Sequence, residues 1–310
     1  MLGPPASGKS VVGRLLASAS RRPADVGVRM GPPVDLDDYH YVRFMWQACE
    51  VAVGMQRGPL FLEPDDLTFR DPREWEALVH LLNEDYAELG PSPRPMPAAP
   101  SEWMLARLDA AHEQVGLPSP LMGLDAEARC ELIAAVSDDA RSLATEVTSR
   151  LRPPGSTAII EFSRGGPEGA SLPLDPPHGY AHALAALSRQ ILERAVILYV
   201  HVTPEESRRR NKLRAEPGPD GSVMAHSVPE SVMRAHYGSD DMPWLIEHAE
   251  QPGTVTIRAH GSVFHVPVAV LDNQQEAPTL RAVAAGADRA PDASVHDELR
   301  RAFAGMGQRG

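Results

Sequence analysis

The spacing of apolar residues along the chain switches between the helical and the strand period. In KSVVGRLLASAS, which begins at Lys9, apolar residues recur on one face and predict an amphipathic helix. Val34 and Leu36 alternate with Asp35 and Asp37 and predict the end of a short strand. Apolar runs in STAIIEF, RAVILYVHV and TVTIRAHGSVFHVPVAVLDN predict further β regions.

Between the second and third predicted strands lie helical patterns at about 40–56, in PREWEALVHLLNEDYAEL, and at about 101–116 and 125–151. Roughly 100 mostly helical residues are too many for a simple connection. They predict an inserted cap, at about 40–151, over the carboxyl edge of the sheet, where a second substrate is commonly held.

Strands that alternate with helices predict an α/β fold, a mainly parallel sheet with helices on both faces. We expect one domain over residues 1–272. The tail, 273–310, is rich in Ala, Gly and charge, and we expect it to be poorly ordered apart from a short helix near 295–304.

The charge, the hydropathy and the cysteine content of the chain exclude several classes of protein. The formal net charge of −12 argues against general nucleic-acid binding, which depends on neutralising phosphates. No apolar run approaches the roughly 18 residues that span a bilayer, and the first residues do not follow the signal-peptide pattern. The two cysteines, Cys49 and Cys130, fit no metal or redox spacing. We therefore expect a cytoplasmic protein without a membrane partner.

The segment GPPASGKS, residues 3–10, is a complete G-x-x-x-x-G-K-[ST] loop. The chain has only two lysines, and one of them, Lys9, stands where this pattern requires it. The glycines permit a tight turn, the following helix presents its positive end, Lys9 would reach the β- and γ-phosphates, and Ser10 would bind magnesium. The predicted nucleotide-binding residues are Gly3, Pro4, Ala6, Ser7, Gly8, Lys9, Ser10 and Val11.

Only Met1 and Leu2 precede this loop, whereas a central parallel strand usually has about five residues. Two explanations are open: the sequence starts several residues inside a longer protein, or the first strand is short and the domain is weakened. In either case the chemistry expected of the loop is the same.

Four segments, GPPASGKS, DLDDYHY, IIEFSRGG and VHVTPEESRRRNKLR, occur in the order typical of P-loop kinases of the nucleoside- and nucleotide-kinase group, which the chain resembles. The resemblance implies a three-layer P-loop NTPase sandwich around a mainly parallel five-stranded sheet. It also implies that a carboxylate after the second strand, Asp37 or as second choice Asp38, activates the acceptor hydroxyl.

The same resemblance implies an arginine in the turn after the third strand, which is Arg164, and a lid at about 204–228. Within the lid, Arg210 and Arg214 are the candidate catalytic residues. The resemblance covers about half of the chain, and the inserted helical region matches no particular subfamily.

Phosphoryl transfer requires charge neutralisation, in-line positioning and a group that receives the acceptor's proton. Glu161, at the end of a buried strand, would hold magnesium directly or through water, together with Ser10. Tyr39 and His40 at the predicted sheet edge, and Arg164, are candidate substrate residues. The expected function is that of an ATP- and Mg²⁺-dependent kinase for a small hydroxyl- or phosphate-bearing molecule, with ATP assigned by analogy alone.

Alternatives remain open at the sequence level. The aspartates are also compatible with a solvated turn, Glu161 with a helix cap or a pair with Arg164, and the lid arginines with pairing to Glu205 and Glu206. At the level of function, the alternatives are a P-loop ATPase or GTPase that acts as a switch or drives a partner, and an ATP-binding protein without turnover. The acceptor and the oligomeric state are left open.

Overall fold

The computed structural model describes residues 1–19, 30–215 and 227–275. The chain divides into two compact units, and the fold is α/β. The first, which we call the α/β unit, comprises Met1–Asp35 and the residues from Gly155 onward; the second, the helical unit, is Leu36–Pro154. The part of the predicted lid at 216–226 and the tail from 276, with its predicted short helix, lie outside the described residues.

In the described residues, five strands form two sheets. They are β1 (Pro33–Asp37), β2 (Thr157–Glu161), β3 (Ile197–His201), β4 (Thr254–Ala259) and β5 (Ser262–Asp272). Strands β1 and β2 form a parallel two-stranded sheet, and β3, β5 and β4 form a mixed sheet in that order. In the mixed sheet β3 runs parallel to β5, with Ile197 opposite Val268, while β4 and β5 are antiparallel.

The last β region, expected as one stretch, is a β-hairpin whose second strand, β5, is long. His260 and Gly261 connect β4 to β5 with φ of 52° and 68°. Two consecutive residues with positive φ are typical of a type I′ turn, whose twist matches that of the paired strands. Strand β5 then continues beyond its hairpin partner and pairs with β3.

The first two residues of the chain lie between the two sheets. Leu2 forms parallel bridges with Phe162, which follows β2, and with Tyr199 in β3. Its amide donates to Leu198 O at 2.9 Å, and its carbonyl accepts from Val200 N at 2.8 Å. Because Leu2 is only 2% exposed, the glycine-rich loop leaves from a buried and paired position.

The described part of the α/β unit contains six helices: α1 (Lys9–Ala19), α7 (Gly179–Ala186), α8 (Arg189–Leu192), α9 (Pro204–Ala215), α10 (Glu230–His236) and α11 (Met242–Glu247). Helix α1 buries Val12, Leu15 and Leu16, the face that the sequence pattern predicts. Helices α7 and α11 pack against β4 and against each other.

The helical unit contains α2 (Tyr39–Gly54), α3 (Glu74–Glu88), α4 (Pro100–Gln114), α5 (Ala126–Ala135) and α6 (Ser137–Ser149). The stretch expected at 125–151 is two helices that meet at the buried Val136. Helix α3 packs on α4, and α4 on α6. Of the helices in the described residues, none is long and apolar enough to cross a membrane.

A buried charged cluster joins four helical-unit segments around Asp85, which is 1% exposed. Its carboxylate accepts hydrogen bonds from Tyr41 Oη at 2.6 Å, Arg107 Nη2 at 2.8 Å and Arg150 Nη1 at 2.9 Å. The Arg107 guanidinium also lies over the ring of Trp103, at 4.8 Å from its centroid. The negative charge of Asp85 is therefore compensated by two arginines and a tyrosine hydroxyl.

Candidate functional site

The glycine-rich loop adopts a backbone that its two glycines make possible. Gly3 and Gly8 have φ of +152° and +99°. A Cβ on Gly3 would lie 2.5 Å from Val200 O, and one on Gly8 would lie 3.0 Å from Asn273 Nδ2. Helix α1 starts directly after Gly8, whose carbonyl accepts from the amide of Val12 at 3.0 Å. The loop is thus closed tightly onto the helix N-terminus, the geometry that suits an anion.

Side chains from distant segments brace the loop. Ser207 Oγ, on α9, donates to Pro5 O at 2.7 Å, and Asn273 Nδ2, just after β5, donates to Ser7 O at 2.7 Å. Arg210 in turn donates to the carbonyl of Asn273 at 2.5 Å. Because these bonds occupy carbonyl oxygens of the loop, they fix its shape before any ligand arrives.

The ammonium of Lys9 is buried at the start of the loop, with only 7% of the residue exposed. It donates to Gly3 O at 2.9 Å, Pro4 O at 3.2 Å and Ser163 Oγ at 2.7 Å. Ser163 lies in the turn after β2, so Lys9 connects the loop to the carboxyl end of that strand. Ser163 was not among the residues predicted from the sequence, although a polar residue directly after an apolar strand is a signal for a site at the sheet edge.

Ser10 and Glu161, the predicted magnesium ligands, are neighbours. Ser10 Oγ donates to Glu161 Oε1 at 3.2 Å. Glu161 is the last residue of β2, and Ser10 is exposed. A hydroxyl and a carboxylate beside the glycine-rich loop are oxygen ligands of the kind that Mg²⁺ takes. Within the described ranges, no group of three or more His, Cys, Asp or Glu side chains is arranged to hold a metal ion.

Two adjacent acids, Asp240 and Asp241, lie on the segment that leads into α11. Tyr199 Oη donates to Asp240 Oδ2 at 2.7 Å, and Met242 N donates to Asp240 Oδ1 at 2.9 Å. Burial raises the pKa of Asp240 to about 7, against an opposing contribution from the Lys9 ammonium. Asp240 is therefore a carboxyl group that titrates near neutral pH at the candidate site.

Asp241 is fully buried and ties α7 to the loop. It accepts from Tyr180 N at 2.7 Å and from Ala181 N at 3.1 Å, so it caps the N-terminus of α7. Tyr180 Oη then accepts from Gly3 N at 2.9 Å. From the sequence, GSDDMPWL predicts a helix cap but not which helix, since the capped helix lies about 60 residues earlier.

The predicted arginines have structural partners in the α/β unit. Arg164 is 3% exposed, donates to Ser163 O at 2.7 Å and lies over the ring of Phe162. Arg210 is 4% exposed and also donates to Glu206 Oε1 at 2.6 Å, one of the pairings left open by the sequence. Arg214 lies in the last turn of α9. Catalytic and substrate roles for these residues stay predictions.

The predicted acceptor residues belong to the helical unit. Asp37 Oδ1 accepts from Tyr39 N at 2.9 Å, and Asp38, 6% exposed, precedes α2. His40 Nε2 lies 3.1 Å from Glu146 Oε1; burial lowers the pKa of His40 although Glu146 opposes this. His40 lines a cleft of about 180 Å³ between α2 and α6, with Arg43, Gln47, Asp139, Ser142 and Glu146.

Comparisons of the chain with protein-family models, with curated proteins and with solved structures gave no significant match. The resemblance to P-loop kinases therefore rests on the motif residues themselves, and the function has to be inferred from the site.

Proposed function

We propose that the protein is a Mg²⁺-dependent phosphotransferase that uses ATP to phosphorylate a small hydroxyl- or phosphate-bearing molecule. The observation that carries the proposal is the meeting of the glycine-rich loop with the end of β2: Lys9 Nζ lies 2.7 Å from Ser163 Oγ, and Ser10 Oγ lies 3.2 Å from Glu161 Oε1. A P-loop whose lysine and serine lie beside an acidic strand end is the arrangement that phosphoryl transfer uses.

The pairing of the strands supports a finer fold assignment. We infer one continuous sheet in the order β1, β2, the segment Met1–Leu2, β3, β5 and β4, because Leu2 bridges Phe162 on one side and Tyr199 on the other. Five of these six segments run parallel, which corresponds to the proposed P-loop sandwich. In such sheets ligands bind at the carboxyl ends of the strands, where the loop is.

In this proposal each residue has a defined task. Lys9 and the N-terminus of α1 bind and orient the polyphosphate and offset its charge. Ser10 and Glu161 hold Mg²⁺, which when bound supplies further neutralisation of charge on the phosphates. Asp37 receives the acceptor's proton, and Arg164 binds an anionic group of the acceptor; Tyr39 and His40 contact it.

The proposal is tested by ADP release from Mg·ATP in the presence of nucleosides, nucleotides, sugars and hydroxy-amino compounds. A kinase consumes ATP slowly alone and much faster with one acceptor class. A switch or partner-coupled NTPase responds instead to a macromolecule, and a bare binder holds ATP without consuming it. Either of these two results would replace the proposal.

Substitutions at Lys9 and Asp37 test the role of each residue separately. Lys9→Ala should lower acceptor-dependent turnover by roughly 10²–10³-fold, the usual loss for one preorganised electrostatic donor. The matched control is Lys212→Ala, which removes the only other lysine, an exposed residue on α9. Asp37→Asn should abolish turnover while Mg·ATP still binds. Equal activity of the Lys9 and Lys212 variants contradicts the role of the loop, and full activity of Asp37→Asn contradicts that of the base.

A further inference from the structure

Helices α2 and α6 of the helical unit pack against each other along polar stripes. Each helix contributes four residues at positions i, i+3, i+4 and i+7, the face that a packed helix normally fills with apolar side chains. Here Phe44 and Leu143 are the apolar members of the two stripes, and both are buried. The other six lining residues are polar: His40, Arg43, Gln47, Asp139, Ser142 and Glu146. As a result, the stripes enclose a cleft of about 180 Å³ instead of closing onto each other.

The two stripes run in opposite directions. Nε2 of His40, the first residue of the α2 stripe, lies 3.1 Å from Oε1 of Glu146, the last residue of the α6 stripe. Gln47, at the other end of the α2 stripe, therefore lies on the side of Asp139, the first residue of the α6 stripe. Arg43 stands between His40 and Gln47, about one helical turn, roughly 5.4 Å, from the level of Asp139. The cleft thus has a cation on one wall and an anion on the other, one turn apart.

Arg43 and Asp139 carry the charges that the protein itself does not use in this cleft. Among the described residues, neither side chain forms an ion pair or a hydrogen bond, with the other or with any third residue. The planar guanidinium of Arg43 suits a carboxylate, which it can bind through two parallel hydrogen bonds. The carboxylate of Asp139 suits an ammonium group. A molecule that carries one charge of each sign would therefore satisfy both walls.

The second acid of the cleft, Glu146, is already neutralised by the protein. Its Oε1 accepts from Arg150 Nη2 at 2.9 Å, and Arg150 Nη1 donates to Asp85 of the buried charged cluster at 2.9 Å. Because the side chain of Arg150 is only 9% exposed, this wall of the cleft is fixed by the buried part of the unit. The charges left for a ligand are one positive and one negative, which favours a zwitterion over a cation or an anion.

His40 adds a hydrogen-bond acceptor. Burial lowers the pKa of His40; Glu146 opposes this shift, and Arg150 and Arg43 add to it. The imidazole is therefore neutral at pH 7. Because a carboxylate only accepts, Nε2 carries the proton and donates to Glu146, which leaves Nδ1 as an acceptor for a hydroxyl group.

We propose that the cleft between α2 and α6 binds a small zwitterion, an α-amino acid with a short, hydroxyl-bearing side chain. Arg43 binds its carboxylate, Asp139 binds its ammonium group, and His40 accepts from its hydroxyl. The inference concerns binding by the helical unit alone and does not rest on the proposed function.

The size and the floor of the cleft agree with such a ligand. Its volume of about 180 Å³ corresponds to about six water molecules at roughly 30 Å³ each, which is the size of one small amino acid and far too small for a nucleotide. Phe44 and Leu143, the most buried lining residues, form an apolar floor for the carbon atoms of the ligand.

The test is titration calorimetry of the full chain with L-serine and with three analogues that each lack one group. The analogue 3-hydroxypropionate lacks the ammonium group, ethanolamine lacks the carboxylate, and L-alanine lacks the hydroxyl. Serine should bind most tightly, and loss of either charged group should weaken binding by roughly tenfold or more, as expected for a charged hydrogen-bonding partner. Loss of the neutral hydroxyl should weaken binding less, by roughly two- to tenfold.

Two variants assign each charge of the ligand to its residue. In Arg43→Gln, serine should bind roughly tenfold more weakly and no better than ethanolamine does. In Asp139→Asn, serine should bind no better than 3-hydroxypropionate does. The matched controls, Arg141→Gln and Asp138→Asn, remove the same kinds of charge from exposed positions of α6 outside the cleft and should change affinity by less than about twofold. Circular dichroism checks that each variant is folded.

Each result supports or overturns the inference. It is overturned if serine does not bind at millimolar concentration, or if either single-charge analogue binds as tightly as serine. Equal affinities of the cleft variants and their controls overturn it as well. If a cleft variant fails to fold, the analogue series on the wild-type chain decides. The proposed function is tested separately, by consumption of Mg·ATP, so that either can fail while the other stands.

Discussion

Removal of the carboxylate at the centre of the buried cluster, Asp85→Ala, should be strongly destabilising for the helical unit. The substitution deletes three hydrogen bonds and leaves Arg107 and Arg150 charged at positions where their side chains are only 5% and 9% exposed. Breaking a buried pair by removing one partner typically costs about 3–5 kcal/mol, since the remaining charge is uncompensated.

Arg107 and Arg150 each have a second carboxylate partner, and these partners determine how large the loss of stability is within the range of about 3–5 kcal/mol. Arg107 keeps Glu84 at 3.0 Å and Arg150 keeps Glu146 at 2.9 Å, and both of these carboxylates are about 40% exposed. Exposed pairs contribute only about 0–1 kcal/mol each, so they compensate in part. We therefore expect a loss of about 3 kcal/mol in the free energy of unfolding of the helical unit.

Urea unfolding followed by tryptophan fluorescence measures this loss. Three of the four tryptophans, Trp46, Trp75 and Trp103, lie in the helical unit, so the signal reports mainly on it. Glu84→Ala is the matched control because it removes only the exposed partner of Arg107 and should cost less than about 1 kcal/mol. Similar urea midpoints for Asp85→Ala and Glu84→Ala would refute the claim that the burial of Asp85 causes the larger loss of stability.

Three further predictions concern the site and the pH response. Glu161→Gln should raise the Mg²⁺ concentration needed for half-maximal ATP binding by roughly tenfold or more, while binding of metal-free ATP is not weakened. Gly3→Ala should cost about 2–3 kcal/mol in thermal or urea unfolding, because its Cβ meets a β3 carbonyl at 2.5 Å, whereas Gly54→Ala, in a helix with open space around it, should not destabilise. Burial acts to lower the pKa of His112, but its 2.7 Å bond to Glu74 outweighs this and raises it. The protonated His112 therefore stabilises the folded protein below about pH 6.5, and this stabilisation is lost as pH rises through the raised pKa. In His112→Asn the urea midpoint should depend less on pH over this range.

Patterns with a short range along the sequence predicted much of the fold. The apolar face of α1, the runs that became β2 and β3, and the helical stretches of the insertion depend on residues a few positions apart, so periodicity reports them. The same holds for the loop at 3–10, whose glycines and lysine are local requirements of one turn. Helices α7 and α8 were not predicted, because they are short and their packing depends on segments far along the chain.

The parts of the site that sequence reasoning missed share a physical cause. Asn273 reaches Ser7 O across 266 positions, and Asp241 caps a helix about 60 positions earlier. A polar residue that satisfies a distant backbone group leaves the local pattern unchanged, since its hydrogen bond is defined by the fold and not by spacing. Only its position, directly after an apolar strand or before a helix, hints that it lies at the sheet edge.

The glycine-rich loop is held in place by segments far along the chain. Leu2 is hydrogen-bonded to β3 and bridges Phe162, so this residue pairs with a different segment on each side. The loop that follows is then fixed by side chains of neighbouring segments, Tyr180 at Gly3 and Asn273 at Ser7. Each of these contacts satisfies a buried backbone group that would otherwise cost about 1–3 kcal/mol. The residues that position the loop are therefore ones that local sequence motifs do not contain.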